Sequence, residues 1–258
     1  KKAFEISEKY KVPVIIRTVT RVNHQSGIVQ LDKIERKEFK KVKWTEVKQR
    51  FYTLGEIARQ NKLKMLERTT QLKEEFDHSS FNLLTNVEAD VGIITSSVSY
   101  LYVLEALNIL KLNSKVNLLK IGTTYPLPEK TIASFIEKIK KLIVVEELSP
   151  FLEKEIYVLA KKTKPDLEIL GKISGAFSEA WEYNPNIVAK ALSTIFNLDS
   201  PPYEALIEEA KKLKTIIPDR CPTCCAGCPH RATFVALNQA FRIQKSKGKN
   251  HFFASDIG

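Results

Sequence analysis

Several features are scarce in this sequence, and each scarcity excludes something. No apolar run approaches the ~20 residues that a membrane span needs; runs such as residues 142–145 are far shorter. No membrane association is therefore expected. The first ten residues are a charged, helix-compatible stretch without an apolar centre, which argues against a secretory signal peptide. The chain begins at Lys1 rather than at methionine, so it is expected to be internal to a longer protein. Cysteine is confined to Cys221, Cys224, Cys225 and Cys228. A disulfide framework would spread its cysteines to close loops along the chain. Bunching serves metal or cluster binding better, and a reducing cytoplasm is its natural setting. Internal repeats, low-complexity tracts and glycine-rich loops are absent.

What is present is ordinary for a soluble globular protein: 43% hydrophobic and 28% charged residues in a chain of 258, enough for one large or two medium domains. The formal net charge of +11 is less ordinary. A basic balance suits nucleic acid, an acidic protein or a phosphate-bearing ligand. The densest basic stretch, residues 36–50, is interrupted and bordered by Glu35, Glu38 and Glu46, and Phe39 and Trp44 are not spaced as a base-stacking platform. A solvated helical surface is favoured, an acidic partner comes second, and nucleic acid is not expected.

Apolar periodicity predicts a helix over 2–10, a β-branched strand over 12–20, and a long charged helix over 44–76 with a break at Gly55. Strands follow at 91–97, 116–122, 142–148 and 167–173. Helices separate them at 98–112, at 128–141 opening on Pro128, and at 151–161. Strands alternating with helices of this length imply βαβ crossovers and a mainly parallel sheet covered on both faces, a three-layer α/β/α fold. The Asp199-Ser200-Pro201-Pro202 stretch reads as a linker, followed by helices over 203–214 and 231–245 and a strand over 252–258.

The chemistry-bearing residues fall in a few places. The cysteines form two CxxC pairs back to back, Cys221-Pro-Thr-Cys224 and Cys225-Ala-Gly-Cys228. A CxxC turn brings two sulfurs to one side. Four ligands so close together do not easily wrap one zinc, so one pair completed by distant ligands, as iron–sulfur clusters accept, is favoured. A helix-start turn with incidental cysteines and a redox disulfide stay open. Arg17, Arg21 and His24 follow an expected strand and suit a carboxylate, which arginine binds with bidentate charge-assisted bonds; an exposed surface turn is the alternative. Glu146 and Glu147 stand at a strand end, where a helix N-terminal charge arrangement is favoured over a ligand-crevice pair. Thr95 to Ser97 form a small-residue turn that could cradle phosphate, with simple packing favoured. His78 and His251 are expected on the surface.

Set in order, these segments resemble a known family. Cys225-Ala-Gly-Cys228-Pro-His230-Arg231 is similar to the CPGCPHR motif of the indolepyruvate:ferredoxin oxidoreductase family, whose larger subunit is thiamine-diphosphate dependent. Ser255-Asp256-Ile257-Gly258 resembles its next signature, and residues 17–24 its RxxTRxxH segment. Residues 92–100, 120–128 and 144–148 resemble its middle domain, which is like the C-terminal domain of transketolase. The sequence departs from the family in its extra pair, Cys221 and Cys224, and in Ala226 where proline is usual.

The resemblance implies four regions. Residues 1–32 end a pyrimidine-type thiamine-binding domain, 33–85 are a helical linker, 86–198 are the transketolase-like domain, and 199–258 begin a diphosphate-type domain. It implies Cys225 and Cys228 as the ligand pair of a 4Fe-4S cluster, with a further ligand after Gly258. It places His230, Asp256 and Gly258 at the cofactor and Arg17, Arg21 and His24 at the substrate. The implied reaction is CoA-acylating oxidative decarboxylation of an aryl 2-oxoacid, with thiamine diphosphate and Mg2+, passing electrons to ferredoxin beside a smaller beta subunit. Neither the family's GD…N metal motif nor its CxxCxxCxxxCP runs occur in this chain, so by itself it is expected to be inactive. A different thiamine enzyme would leave the cysteine block unexplained, and a zinc- and nucleic-acid-binding module is the contrasting class.

Overall fold

The fold comes from a computed structural model that describes residues 1–31, 43–199, 201, 203–218, 224 and 226–248. The chain divides into two compact units, Lys1–Pro202 and Tyr203–Gly258. The first is built on a five-stranded sheet. Its strands are β1 (Leu83–Thr85), β2 (Val91–Ser96), β3 (Asn117–Ile121), β4 (Lys141–Val145) and β5 (Glu168–Leu170), in the spatial order β1-β3-β2-β4-β5. Four are mutually parallel; β1 runs antiparallel to β3 at one edge. Helices α1 (Lys2–Tyr10), α2 (Thr20–Asn23), α3 (Trp44–Val47) and α4 (Gly55–Asp77) precede the sheet. Within it lie α5 (Ser99–Ile109), α6 (Glu129–Glu137) and α7 (Phe151–Thr163), and α8 (Pro185–Ile195) follows.

The central strands are apolar on both faces because both are covered. Ile94, Leu119, Ile121, Leu142, Val144 and Ile169 pack with α6 and α7 through Ile132, Phe135, Ile136, Leu152 and Ile156. Alternate residues such as Ile93 and Ile143 are equally buried and point the other way, as the period of two requires, toward the layer where α5 packs against α8. Gly92 is needed on β2: a Cβ there would stand 2.7 Å from Ile139 and 2.8 Å from Phe135. The three-layer α/β/α class with a mainly parallel sheet is thus observed.

Several elements differ from the sequence-based expectation. Residues 12–19 have β propensity but pair with no strand among the described residues, and Ile15 and Ile16 are 91% and 73% exposed. Propensity alone does not make a strand; the ladder needs a partner edge. The long helix over 44–76 is broken earlier than Gly55, by a 3-10 turn over Lys48–Phe51, and α4 starts at Gly55 with φ +63°. Three elements were unforeseen: α2, β1 and α8. β1 is three exposed residues, too short to show a period. α8 opens at Asn184, whose side chain accepts the Ile187 N–H at 3.0 Å ahead of Pro185, an N-cap and N1-proline signal that was legible.

The second unit holds α9 (Glu204–Lys214) and α10 (Pro229–Ser246). Among the described residues no helix is long and apolar enough to cross a membrane. The expected strand over 252–258 lies outside the described residues.

Candidate functional site

Polar groups of the first unit converge at the carboxyl ends of β4 and β5. The chain leaves β2 into α5 on one face and β4 into α7 on the other, so the gap between these two strands is the sheet's switch point, where ligands of open α/β sheets tend to bind. Glu146 follows β4 and turns back on itself. Its carboxylate accepts the N–H groups of Leu152 and Glu153, both at 2.9 Å. It therefore closes the first turn of α7, whose N–H groups have no partner inside the helix. This is the helix-terminal arrangement expected of the acidic pair. Glu147 instead accepts the Tyr183 N–H at 2.9 Å.

Behind Glu146 lies a buried network. Glu153 has no exposed surface and accepts the N–H groups of Lys172 at 2.8 Å and Ile173 at 3.2 Å. A methyl group on Gly171 would overlap this carboxylate. Lys172, 5% exposed, donates through Nζ to the Ser178 carbonyl at 2.8 Å and to the Tyr183 hydroxyl. Tyr183 in turn donates to the same carbonyl. Burial pushes the Lys172 ammonium below the usual lysine range, against the pull of Glu146 and Glu153. Burial likewise raises the Tyr183 phenol. The donors and acceptors of this network are spent on one another, which fixes the loop after β5 against the start of α7. Sequence reasoning missed Glu153, Lys172 and Tyr183, because nothing local marks residues whose partners lie so far along the chain.

Burial raises the Glu146 carboxyl above its ordinary 4.5, opposed by the Glu153 and Leu152 N–H groups and by Lys172. Between 4.5 and the raised value, the folded protein holds a proton that the unfolded chain has released. Stability from this group therefore falls as pH rises through that window. Glu146→Gln should flatten this part of the stability profile. Urea denaturation of both proteins from pH 4.5 toward neutrality measures it; parallel profiles would remove the assignment.

Arg17, Arg21 and His24 are all exposed. They do not leave a strand of the sheet, contrary to expectation: Arg17 lies in the unpaired extended segment, Arg21 in α2, and His24 at the C-cap of α2. Arg21 pairs with Glu182 at 3.2 Å, beside Tyr183, and so touches the loop after β5. Both side chains are about half exposed, so the pair adds little stability. Thr95 and Ser99, at the β2–α5 turn, are buried, and their hydroxyls have no hydrogen-bond partner among the described residues. His78 is exposed, as expected.

In the second unit, Cys228 caps α10 with Pro229 in the first turn, and its sulfur lies 3.5 Å from His230 Nδ1. A thiolate there faces the positive end of the helix dipole. Cys224 and Cys228 are free, half-buried thiols. Cys221, Cys225, His251, Asp256 and Gly258 lie outside the described residues. Among those described, no cluster of three or more potential metal ligands forms.

The family profile described as the indolepyruvate oxidoreductase domain matches residues 82–217, more than half the chain. The chain belongs to this family. Among curated relatives, the indolepyruvate oxidoreductase subunit IorA of Archaeoglobus fulgidus is 37% identical over 93% of this chain and 37% of its own length. IorA of Methanothermobacter thermautotrophicus is 33% identical over 99% of this chain and 40% of its own. IorA of Pyrococcus abyssi is 36% identical over all of this chain and 39% of its own. The chain thus spans about two fifths of the length of these relatives. A solved 2-oxoglutarate:ferredoxin oxidoreductase from Magnetococcus marinus, with 2-oxoglutarate, coenzyme A and succinyl-CoA bound, is 19% identical with a TM-score of 0.39. The likeness covers 52% of this chain and 23% of that one.

Proposed function

We propose that this chain is part of the larger subunit of an indolepyruvate:ferredoxin oxidoreductase, working beside a smaller beta subunit in the cytoplasm. What supports the reading above all is the match, over nearly the whole chain, to indolepyruvate oxidoreductase subunits. The substrate is an aryl 2-oxoacid, oxidatively decarboxylated to an acyl-CoA while electrons pass to ferredoxin. Within the chain, residues 86–198 form the transketolase-like domain. Residues 1–32 and 199–258 belong to the thiamine-binding domains on either side, and 33–85 join them.

Bound thiamine diphosphate with Mg2+ would supply the carbanion chemistry of decarboxylation. Asp256 and Gly258, which the resemblance assigns to it, lie outside the described residues, and His230 alone forms no cradle. For a 4Fe-4S cluster the donor chemistry fits better. Cys228 presents its sulfur at a helix N-terminus, and such clusters accept thiolates from distant positions. Cys225 and Cys228 are the proposed ligand pair, with Cys221 and Cys224 in reserve. Arg17, Arg21 and His24 serve the substrate carboxylate: two guanidinium groups and an imidazole on one exposed segment offer charge-assisted donors to it.

The test is Cys228→Ala in the complete enzyme, purified anaerobically with its smaller subunit. Iron and acid-labile sulfide should drop. Indolepyruvate-dependent reduction of ferredoxin should fall by at least the about tenfold that loss of even a supporting group at a metal site costs. Unchanged iron and sulfide would remove Cys228 as a ligand. Zinc in their place, or no oxidation of any aryl 2-oxoacid by the wild type, would overturn the reading.

A further inference from the structure

The groove between β1 and α6, running from the Asp77–Thr131 contact at the start of α6 to Asn117 at the start of β3, holds a cavity of about 340 Å³. That is at the low end of the roughly 300–1,000 Å³ of small-ligand sites. Its floor is apolar, made by Leu84, Leu119, Phe135 and Ile139; the last three are almost wholly buried. Leu84 and Leu119 are register partners across β1 and β3, so they project from one face of the sheet.

The rim is basic. Lys130, Ser134 and Lys138 line it at four-residue spacing, which sets them along one side of α6. The nearby acids are engaged elsewhere: Glu129 pairs with Lys73, and Asp90 with Lys140. Asp77 is the one acid among the lining residues, and its Oδ1 accepts the Thr131 N–H at 3.0 Å. The opposite wall is held in place by Asn117. Its side chain accepts the Val87 N–H at 2.8 Å and donates to the Ala89 carbonyl at 2.7 Å.

We propose that this cavity binds a small apolar carboxylic acid, its hydrocarbon body on Phe135, Ile139, Leu119 and Leu84 and its carboxylate between Lys130 and Lys138. The chemistry selects this class. A wholly neutral ligand would leave two lysines unused. A phosphate-rich ligand would set several charges over an apolar floor, where a single carboxylate at the rim sets none. One carboxylate on an aromatic or branched body matches both the floor and the rim. This inference is independent of the oxidoreductase reading, since it uses none of the cysteines and none of the residues assigned to the 2-oxoacid.

The experiment titrates the full chain with cinnamate, and separately with cinnamamide, its uncharged counterpart, following binding by ligand-observed NMR and calorimetry. Cinnamate should saturate one site, and cinnamamide should bind about tenfold more weakly for want of the charge-assisted contacts. Raising salt to about 0.5 M should weaken cinnamate alone. The double variant Lys130→Gln/Lys138→Gln, at exposed positions and checked for an unchanged thermal midpoint, should lose about tenfold in cinnamate affinity and none in cinnamamide affinity. Ser134→Trp, which fills the groove, should abolish both. The proposal is overturned by equal affinity for acid and amide, by undiminished cinnamate binding in the double variant, or by no saturable binding to the wild type.

Discussion

Replacing Glu153 with alanine is expected to destabilise the first unit by about 2–4 kcal/mol, the cost of leaving two backbone N–H groups without their acceptor. The Glu153 carboxylate has no exposed surface. Its loss orphans the N–H groups of Lys172 and Ile173, each buried donor costing about 1–3 kcal/mol unless water reaches it. It also withdraws one of the negative charges that hold Lys172 protonated against burial. Glu153→Gln should cost less, because one carbonyl oxygen can still accept while the charge is gone. Both tryptophans, Trp44 and Trp181, lie in the first unit, so urea denaturation followed by tryptophan fluorescence reads this unit. A loss below about 1 kcal/mol would mean that water satisfies those N–H groups and the network is not dry.

The second large effect is expected at Gly92, where two forces oppose each other. Valine suits a strand better than glycine by up to about 1 kcal/mol. Against this, a Cβ would stand 2.7 Å from Ile139 and 2.8 Å from Phe135, both locked in the core under α6. Overpacking of this kind costs about 1–3 kcal/mol for extra methylene groups, and valine brings two branches. Overlap should win, and Gly92→Val should lower stability by about 2 kcal/mol. If the cause is the clash, Phe135→Leu introduced with it should recover part of the loss, giving a favourable coupling in a double-mutant cycle. Strictly additive effects would place the cost in the backbone of β2 instead.

The alternation of strands and helices from Val91 onward was legible because it is local. Runs such as Val91–Ile94 and Leu142–Val145 are apolar, and that alone implies a strand covered on both faces. Pro128, just before α6, marked its start for the same reason. Reasoning of this kind failed where a partner was required. Residues 12–19 have the composition of a strand but no strand partner among the described residues, whereas β1, with an unremarkable sequence, pairs along the free edge of β3. At the candidate site, the Glu146 side chain was correctly expected at a helix start. Arg21 was expected beyond a strand and instead stands beside Glu182 in the loop after β5.

By itself, the order of residues determined the layered α/β architecture and the place of the cysteine-rich helix start, since periodicity, proline position and CxxC spacing act over a few residues. Only the tertiary structure decided which carboxylates are buried and what satisfies them. Glu153, Lys172 and Tyr183 meet because β4 and β5 are adjacent and parallel, which carries the α7 start and the loop after β5 to the same end of the sheet. The lysine-rimmed cavity arises in the same way, from an antiparallel edge strand set beside a helix far along the chain. Such juxtapositions depend on chain crossovers, and no local pattern encodes them.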